Sequence, residues 1–273
     1  MSPFPALLSI PHGGAEVPRE IRDRVTLSVK DQFEDSDSYT QEIYGFGSEV
    51  LVQVQSQVAR AFVDMNRAED DRPPKNLDGI VKTQTCHSKT VYLSGQELDD
   101  SWTRYLLLSV SSIHCHRTGR AHRSSTRAGL PHTMEAMAPA IAPDTGQSRP
   151  LICLGTNHGK SCPPEMADRL AACFREGFGL GEMDVVMNKP FSGGYITRTY
   201  GKGILPWVQV EMNRSLYLSE PWFDADTLII QPQRLLDLNQ RFRKTRTLFF
   251  QSWNRLHFDV EFAGFWLAHP VQW

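Results

Sequence analysis

Catalytic metal centres commonly take three protein ligands from His and carboxylate side chains and keep one position open for water. This chain offers such side chains at several loop positions. His12 stands in the glycine loop of IPHGG, Asp35 and Asp37 stand in EDSDSY, and His132 stands in the short HTM segment. None of them has diagnostic spacing alone. A separate block, NKPFSGGYITRTYGKGILPWVQVEMNRSLYL over 188–218, joins a glycine loop to a strand pattern. Gly193, Gly194, Gly201 and Gly203 permit sharp turns or a close approach to a ligand. Beyond them Val208, Val210 and Met212 alternate with Gln209, Glu211 and Asn213, so Glu211 and Asn213 are expected on one strand face. A loop of this kind feeding a strand that ends in Glu-Met-Asn-Arg is a site-building layout.

These positions need a scaffold, and the apolar pattern supplies one. Ala6, Leu7, Leu8 and Ile10 predict a short buried strand stopped by Pro11, which leaves His12 in the loop at its end. Val50, Val52 and Val54 predict a second strand. Ala61, Phe62 and Val63 predict a third, running into Asp64-Met65-Asn66-Arg67. Leu151 to Leu154 and Val185 to Met187 repeat the pattern. Between them PEMADRLAACFREGFG begins with a proline suited to a helix start and spaces Met166, Leu170, Cys173 and Phe174 for one apolar face. Residues 230–250 read as a closing amphipathic helix. This alternation predicts an α/β fold, a mixed sheet flanked by helices, built as a single domain over 1–273.

Composition narrows the function classes. At 273 residues and a formal net charge of -2, the chain has no general attraction for nucleic acid or anionic membrane. The opening MSPFPALLSIPHGG lacks a basic leader region, and no segment nears the roughly 18 to 20 apolar residues of a membrane span. A cytoplasmic protein is expected. The five cysteines form no CxxC pair and read as reduced thiols. Cys153 and Cys162 lack a basic neighbour that would make a thiolate nucleophile.

Taken together, IPHGGAEVP, EDSDSY, FVDMNR, YLSGQELDDSWTRYL, HTMEAMAPAIAPDTGQSRPLICLG, NHGKSC and NKPFSGGYITRTYG with VQVEMNRSLY resemble the N-formylglutamate amidohydrolase family over most of the chain. The resemblance implies a fold similar to zinc carboxypeptidases, with phosphorylase/hydrolase-like architecture. It also implies hydrolysis of N-formyl-L-glutamate to formate and glutamate at the end of histidine degradation. By the same resemblance a divalent metal, zinc or another, is held by His12, Asp37 (with Asp35 as the alternative) and His132, and activates a water. Glu211 is the expected general base. Asn66, Arg67, Gly193, Gly194, Tyr195, Thr197, Asn213 and Arg214 are the expected substrate-binding residues, with Arg198 in reserve, because bidentate Arg suits the two substrate carboxylates. His87 and His158 fall where the family pattern asks for no histidine and read as structural or exposed. The expected partner is a small N-acyl acidic amino acid, and the sequence leaves the oligomeric state open. Two alternatives stand beside this reading: a catalytically impaired member that only binds such ligands, and a hydrolase of another N-acyl amino acid. A peptide carboxypeptidase is disfavoured, since no HxxE pair follows the first strand.

One segment departs from the resemblance. Over 109–131 the chain reads SVSSIHCHRTGRAHRSSTRAGLP, where family members show a PYH-type motif, an amphipathic helix and a strand ending LDCH before TM. Permitted codons for 109–131, read one nucleotide later, spell PYHQSIAIARAGHIAARLALDCH. Wobble bases are free, whereas the first and third bases of each shifted codon are mostly set by the protein sequence. The reading is that two compensating frame changes scrambled 109–131. A stretch carrying Arg117, Arg120, Arg123 and Arg127 is too costly to bury unpaired and is expected to loop out, and the Asp that family members carry two residues before the histidine is lost here, where Leu130 stands.

Overall fold

The computed structural model describes residues 3–94, 126–140 and 142–265, with side chains of the last helix described as far as residue 252. Six strands form the central sheet: β1 (Phe4–Ile10), β2 (Val50–Gln55), β3 (Arg127–Met134), β4 (Ile152–Gly155), β5 (Val185–Met187) and β6 (Trp207–Asn213), in the order β2-β1-β3-β6-β4-β5. β2, β1, β3 and β6 run parallel, whereas β4 is antiparallel to β6 and parallel to β5. A mixed sheet follows, as the alternation of elements predicts. A two-stranded ribbon, β7 (Phe223–Asp224) with β8 (Ile229–Ile230), lies apart from it.

The period of two along each strand divides the two faces. Leu8 and Ile10 of β1, with Val208, Val210 and Met212 of β6, turn toward the long helices α3 (Pro164–Phe178) and α5 (Pro232–Phe265), where Met166, Phe174, Phe242 and Phe249 complete the main core. Helix α3 starts at Pro164, as expected, and stops at Gly179, whose φ of 69° only glycine adopts freely. The opposite face carries Leu7, Ala128, Leu130, Ile196 and Trp207 in a smaller cluster. His132, Gln209 and Glu211 continue along that second face by the same period. Two short helices, α1 (Val29–Asp35) and α2 (Thr40–Tyr44), bracket Asp37, and α4 (Tyr195–Tyr200) follows the glycine loop. No described helix is long and apolar enough to cross a membrane.

Two expectations need correction. Residues 61–63 are not a sheet strand: Phe62 and Val63 donate to Ala59 O in a turn, and only Val63 makes an isolated bridge, to Val81. Their apolar side chains are buried in a separate cluster with Ile21, Ile80 and Tyr92, so burial without sheet pairing produced the strand-like pattern. Residues 127–131 do not loop out either. They form the first part of β3, between β1 and β6, because Ala128 and Leu130 are apolar and buried there, while Gly129 and, at the strand's first position, Arg127 are half-buried. Arg117, Arg120, Arg123 and most of the YLSGQELDDSWTRYL motif lie outside the described residues.

Candidate active site

Backbone bonds bring the first two site residues together. Asp37 N donates to His12 O at 3.1 Å, locking the loop after β1 onto the turn between α1 and α2. That contact needs Gly13, where an added Cβ would sit 2.5 Å from Thr40 Oγ1. β3 carries His132 onto the same spot, and the parallel register sets His132 beside Glu211 of β6. His12 Nδ1 lies 3.2 Å from Asp37 Oδ2, and His132 Nδ1 lies 2.8 Å from the same oxygen. The two imidazole centroids are 4.5 Å apart.

Each of these groups is braced from behind. His12 Nε2 meets Asp64 Oδ1 at 2.7 Å, and Arg60 Nη2 donates to Asp64 Oδ2 at 2.9 Å. Asn66 Nδ2 approaches His132 Nε2 at 3.3 Å while Asn66 Oδ1 accepts from Ile196 N at 2.9 Å, tying the histidine to the glycine loop. Arg214 donates to Asp37 Oδ1 at 3.3 Å and to the Glu34 and Ser36 carbonyls at 3.0 and 2.6 Å. Asp35 turns elsewhere: its carboxylate accepts from Lys82 Nζ at 2.6 Å and Cys86 N at 2.7 Å. Asp37, not Asp35, therefore faces the histidines.

Burial and charge set the protonation of the cluster. Burial alone would raise the Asp37 carboxyl, but hydrogen bonds from His12 and His132 hold it well below the ordinary range. Asp64 is likewise held down against burial, by the charges of His12 and Arg60. Burial disfavours the His12 imidazolium, yet Asp64 and Asp37 together raise its pKa. Glu211 behaves oppositely. Burial pushes its carboxyl up to about 7, and the neighbouring Asp37 charge adds to this against His132. Gln209 Nε2 donates to Glu211 Oε1 at 2.5 Å, while Gln209 Oε1 accepts from Gly194 N at 2.6 Å.

A metal ion fits the donor set. One ligand atom from each of His12, Asp37 and His132 lies within 4.8 Å of the others, and all three residues are buried. Asp64 on the far nitrogen of His12 stands where metal-binding histidines commonly have an outer carboxylate. The cluster opens into a cavity of about 480 Å³ lined also by Arg60, Asn66, Arg67, Gly193, Gly194, Tyr195, Arg198, Gln209 and Glu211. Of the residues expected to hold substrate, Asn66, Arg67, Gly193, Gly194 and Tyr195 line this cavity. Thr197, Asn213 and Arg214 do not. Thr197 is buried with its hydroxyl 3.5 Å from Gln209 Oε1, and Asn213 Nδ2 donates to the Arg149 and Pro150 carbonyls. The guanidinium of Arg214 is spent on Asp37 and the chain around it. His87 pairs with Glu135 at 3.0 Å, and His158 is exposed.

Three residues of the site escaped the sequence reading: Asp64, Arg60 and Gln209. Asp64 lies inside the quoted FVDMNR motif. The available signal was a carboxylate between Phe62 and Met65 in an apolar run, which must be paired if buried.

A family model described as N-formylglutamate amidohydrolase matches residues 4–218. A protein named N-formylglutamate deformylase from Pseudomonas putida is 27% identical over 237 residues, covering 80% of this chain and 83% of that protein. One of the same name from Pseudomonas aeruginosa is 27% identical over 234 residues, covering 79% and 83%. The crystal structure of N-formylglutamate amidohydrolase from Ralstonia eutropha JMP134 superposes with a TM-score of 0.72 at 15% identity, covering 94% of this chain and 95% of that one. At that identity the superposition shows a shared fold.

Proposed function

Because the chain belongs to the N-formylglutamate amidohydrolase family, we propose that it hydrolyses N-formyl-L-glutamate to formate and L-glutamate, using a divalent metal, zinc, held by His12, Asp37 and His132. The observation that carries this reading is the buried His12–Asp37–His132 cluster with Glu211 beside it in one cavity. The relatives named N-formylglutamate deformylase support the substrate, and histidine degradation is the setting in which that substrate arises. When bound, the ion would supply Lewis-acid activation of water and of the formyl oxygen.

The chain's own groups account for the rest of the chemistry. Glu211, with a carboxyl titrating at about 7, exists in both forms near neutrality and suits proton transfer in either direction. It takes a proton from the attacking water, then returns it to the glutamate nitrogen as the C–N bond breaks. Gln209 occupies Oε1 of Glu211, which leaves Oε2 for this transfer. Asn66 and the Gly193–Tyr195 loop define the wall against which the amide lies, and Arg67 faces the cavity for a substrate carboxylate. Formate release from N-formyl-L-glutamate, measured on chelated and zinc-restored protein, tests the proposal. No formate above blank in the restored protein, with no metal retained, would refute it.

The second reading, a catalytically impaired member, has its own observation. β3 is a central strand, yet it carries Gly129 and Pro131, residues that weaken or interrupt a ladder. Beside Gly129 lies an apolar cavity of about 80 Å³ among Leu8, Met166, Leu170, Phe174 and Val210. The shifted reading LDCH puts a leucine at that position, whose side chain would enter the void, and puts an aspartate where Leu130 now packs against apolar neighbours. We propose that two compensating frame changes produced 109–131. The coding DNA decides: an undisturbed frame encoding the same peptide in close relatives rules the idea out.

A further inference from the structure

The cavity holds three arginines, and they are not equivalent. Arg60 is paired with Asp64 at 2.9 Å and lies 3.7 Å from Asp35. Arg67 faces Asp64 at 3.3 Å, Asp71 at 3.7 Å and Asp78 at 3.4 Å. Arg198 makes no ion pair or side-chain hydrogen bond among the described residues. Against these cations the lining sets Asp37, Asp64, Asp71 and Glu211, so much of its positive charge is already opposed by carboxylates. A dicarboxylate entering it must find charge that is not already spent. Arg67 is shared among three carboxylates, whereas no described carboxylate pairs with the Arg198 guanidinium.

The local fold aims Arg198 at the cavity. In α4 its backbone N donates to Gly194 O at 3.0 Å, so Gly194 and Arg198 share one face of the first turn. Gly194, Tyr195 and Arg198 line the cavity, while Ile196 and Thr197 are buried on the other side and fix the rotation of the helix. Arg198 is exposed at the mouth, farther out than the buried cluster of His12, Asp37 and His132. A substrate whose amide meets the buried cluster must extend outward from it, toward the exposed part of the lining.

We infer that Arg198 is the specificity-determining residue for an acidic side chain on the substrate, binding the distal carboxylate of an N-acyl dicarboxylic amino acid. The inference rests on the amidohydrolase reading for the identity of the substrate backbone. It deepens that reading by separating the distal carboxylate, held by Arg198, from the groups at the amide. A planar guanidinium can accept a carboxylate through two parallel hydrogen bonds, which neither a lysine nor a neutral amide reproduces.

The test compares N-formyl-L-glutamate with N-formyl-L-glutamine, which differs only in that distal group, on the full chain and on Arg198→Gln and Arg198→Lys, all supplied with zinc. The kcat/KM ratio of the acidic over the neutral substrate is expected to fall roughly 10- to 100-fold in Arg198→Gln, chiefly through KM, the size of one lost charge-assisted interaction. Arg198→Lys is expected to restore part of it. Equilibrium binding of both compounds by calorimetry is run in parallel. A chain that releases no formate yet binds the acidic compound selectively through Arg198 would sink the hydrolase reading and keep this one. An unchanged ratio in Arg198→Gln, whether both substrates weaken together or neither does, overturns the inference. So does an absence of preference in the unmodified protein.

Discussion

Replacing Glu211 with Gln should abolish most turnover while making the metal-free protein more stable at alkaline pH. The side chain is only 4% exposed, and burial raises its carboxyl from the ordinary 4.5 to about 7. A raised carboxyl pKa means that the folded state holds the proton more tightly than the unfolded chain does. Stability therefore falls as pH rises from about 4.5 to about 7 and stays reduced above that. At about 1.4 kcal/mol per pH unit across that window, the ionised carboxylate costs the fold roughly 3 kcal/mol. Glutamine has nearly the same shape, cannot ionise, and can still accept the hydrogen bond from Gln209. In chelated protein the melting temperature of Glu211→Gln should exceed that of the parent by roughly 5–10 °C at pH 8, with the gap closing toward pH 4.5. Turnover of N-formyl-L-glutamate in zinc-loaded protein should drop by about 10²- to 10⁴-fold, the usual range for a lost general base. Calorimetric melts across the pH range and a formate assay read both effects. A structural glutamate would lose stability on substitution. A variant that melts lower at pH 8, or that keeps more than about a tenth of its activity, refutes the reasoning.

Two further substitutions probe the supports. Asp64→Asn removes the carboxylate from His12 Nε2 and from Arg60. It should weaken zinc binding about 10- to 100-fold in a chelator competition, and lower the urea midpoint by an amount equivalent to roughly 3 kcal/mol because Arg60 loses a buried partner. Gly194→Ala would place a Cβ 2.1 Å from Asn66 Nδ2 and 2.6 Å from its Cγ, displacing the amide that links His132 to the glycine loop. The expected result is a loss of about 1–3 kcal/mol in stability, with a fall in kcat/KM that exceeds any fall in zinc content. Equal losses of zinc and activity would mean that Asn66 acts on the metal ligands alone.

Much of the scaffold was legible because periodicity reports burial directly. β1, β2, β5, β6 and α3 lie where the apolar spacing predicts them, and Pro164 opens α3. Residues 61–63 misled for the same reason. Apolar side chains were buried in a loop cluster, and a short apolar run does not reveal whether its backbone pairs in a sheet. The segment 127–131 misled in the opposite direction. Its composition argued against a strand, but the gap between β1 and β6 admits Ala128, Gly129 and Leu130, and Arg127 at the strand's start stays half-buried.

The sequence by itself determined the family and the kinds of group present: two histidines in loop or strand-end positions, a choice of carboxylates, a strand-end glutamate and a glycine loop with arginines around it. Residue types and their order survive in a linear string, so these could be read there. Tertiary structure alone decided which carboxylate meets the histidines, since Asp35 and Asp37 are two residues apart and their partners come from segments far away in the chain. Lys82 and Cys86 take Asp35; His12, His132 and Arg214 take Asp37. It also decided that Arg214 bonds Asp37 and does not line the cavity, that Asp64 meets His12, and that Arg198 pairs with no described carboxylate. Each of those outcomes depends on competition among donors and acceptors at distances of about 3 Å, and only the folded chain sets those distances.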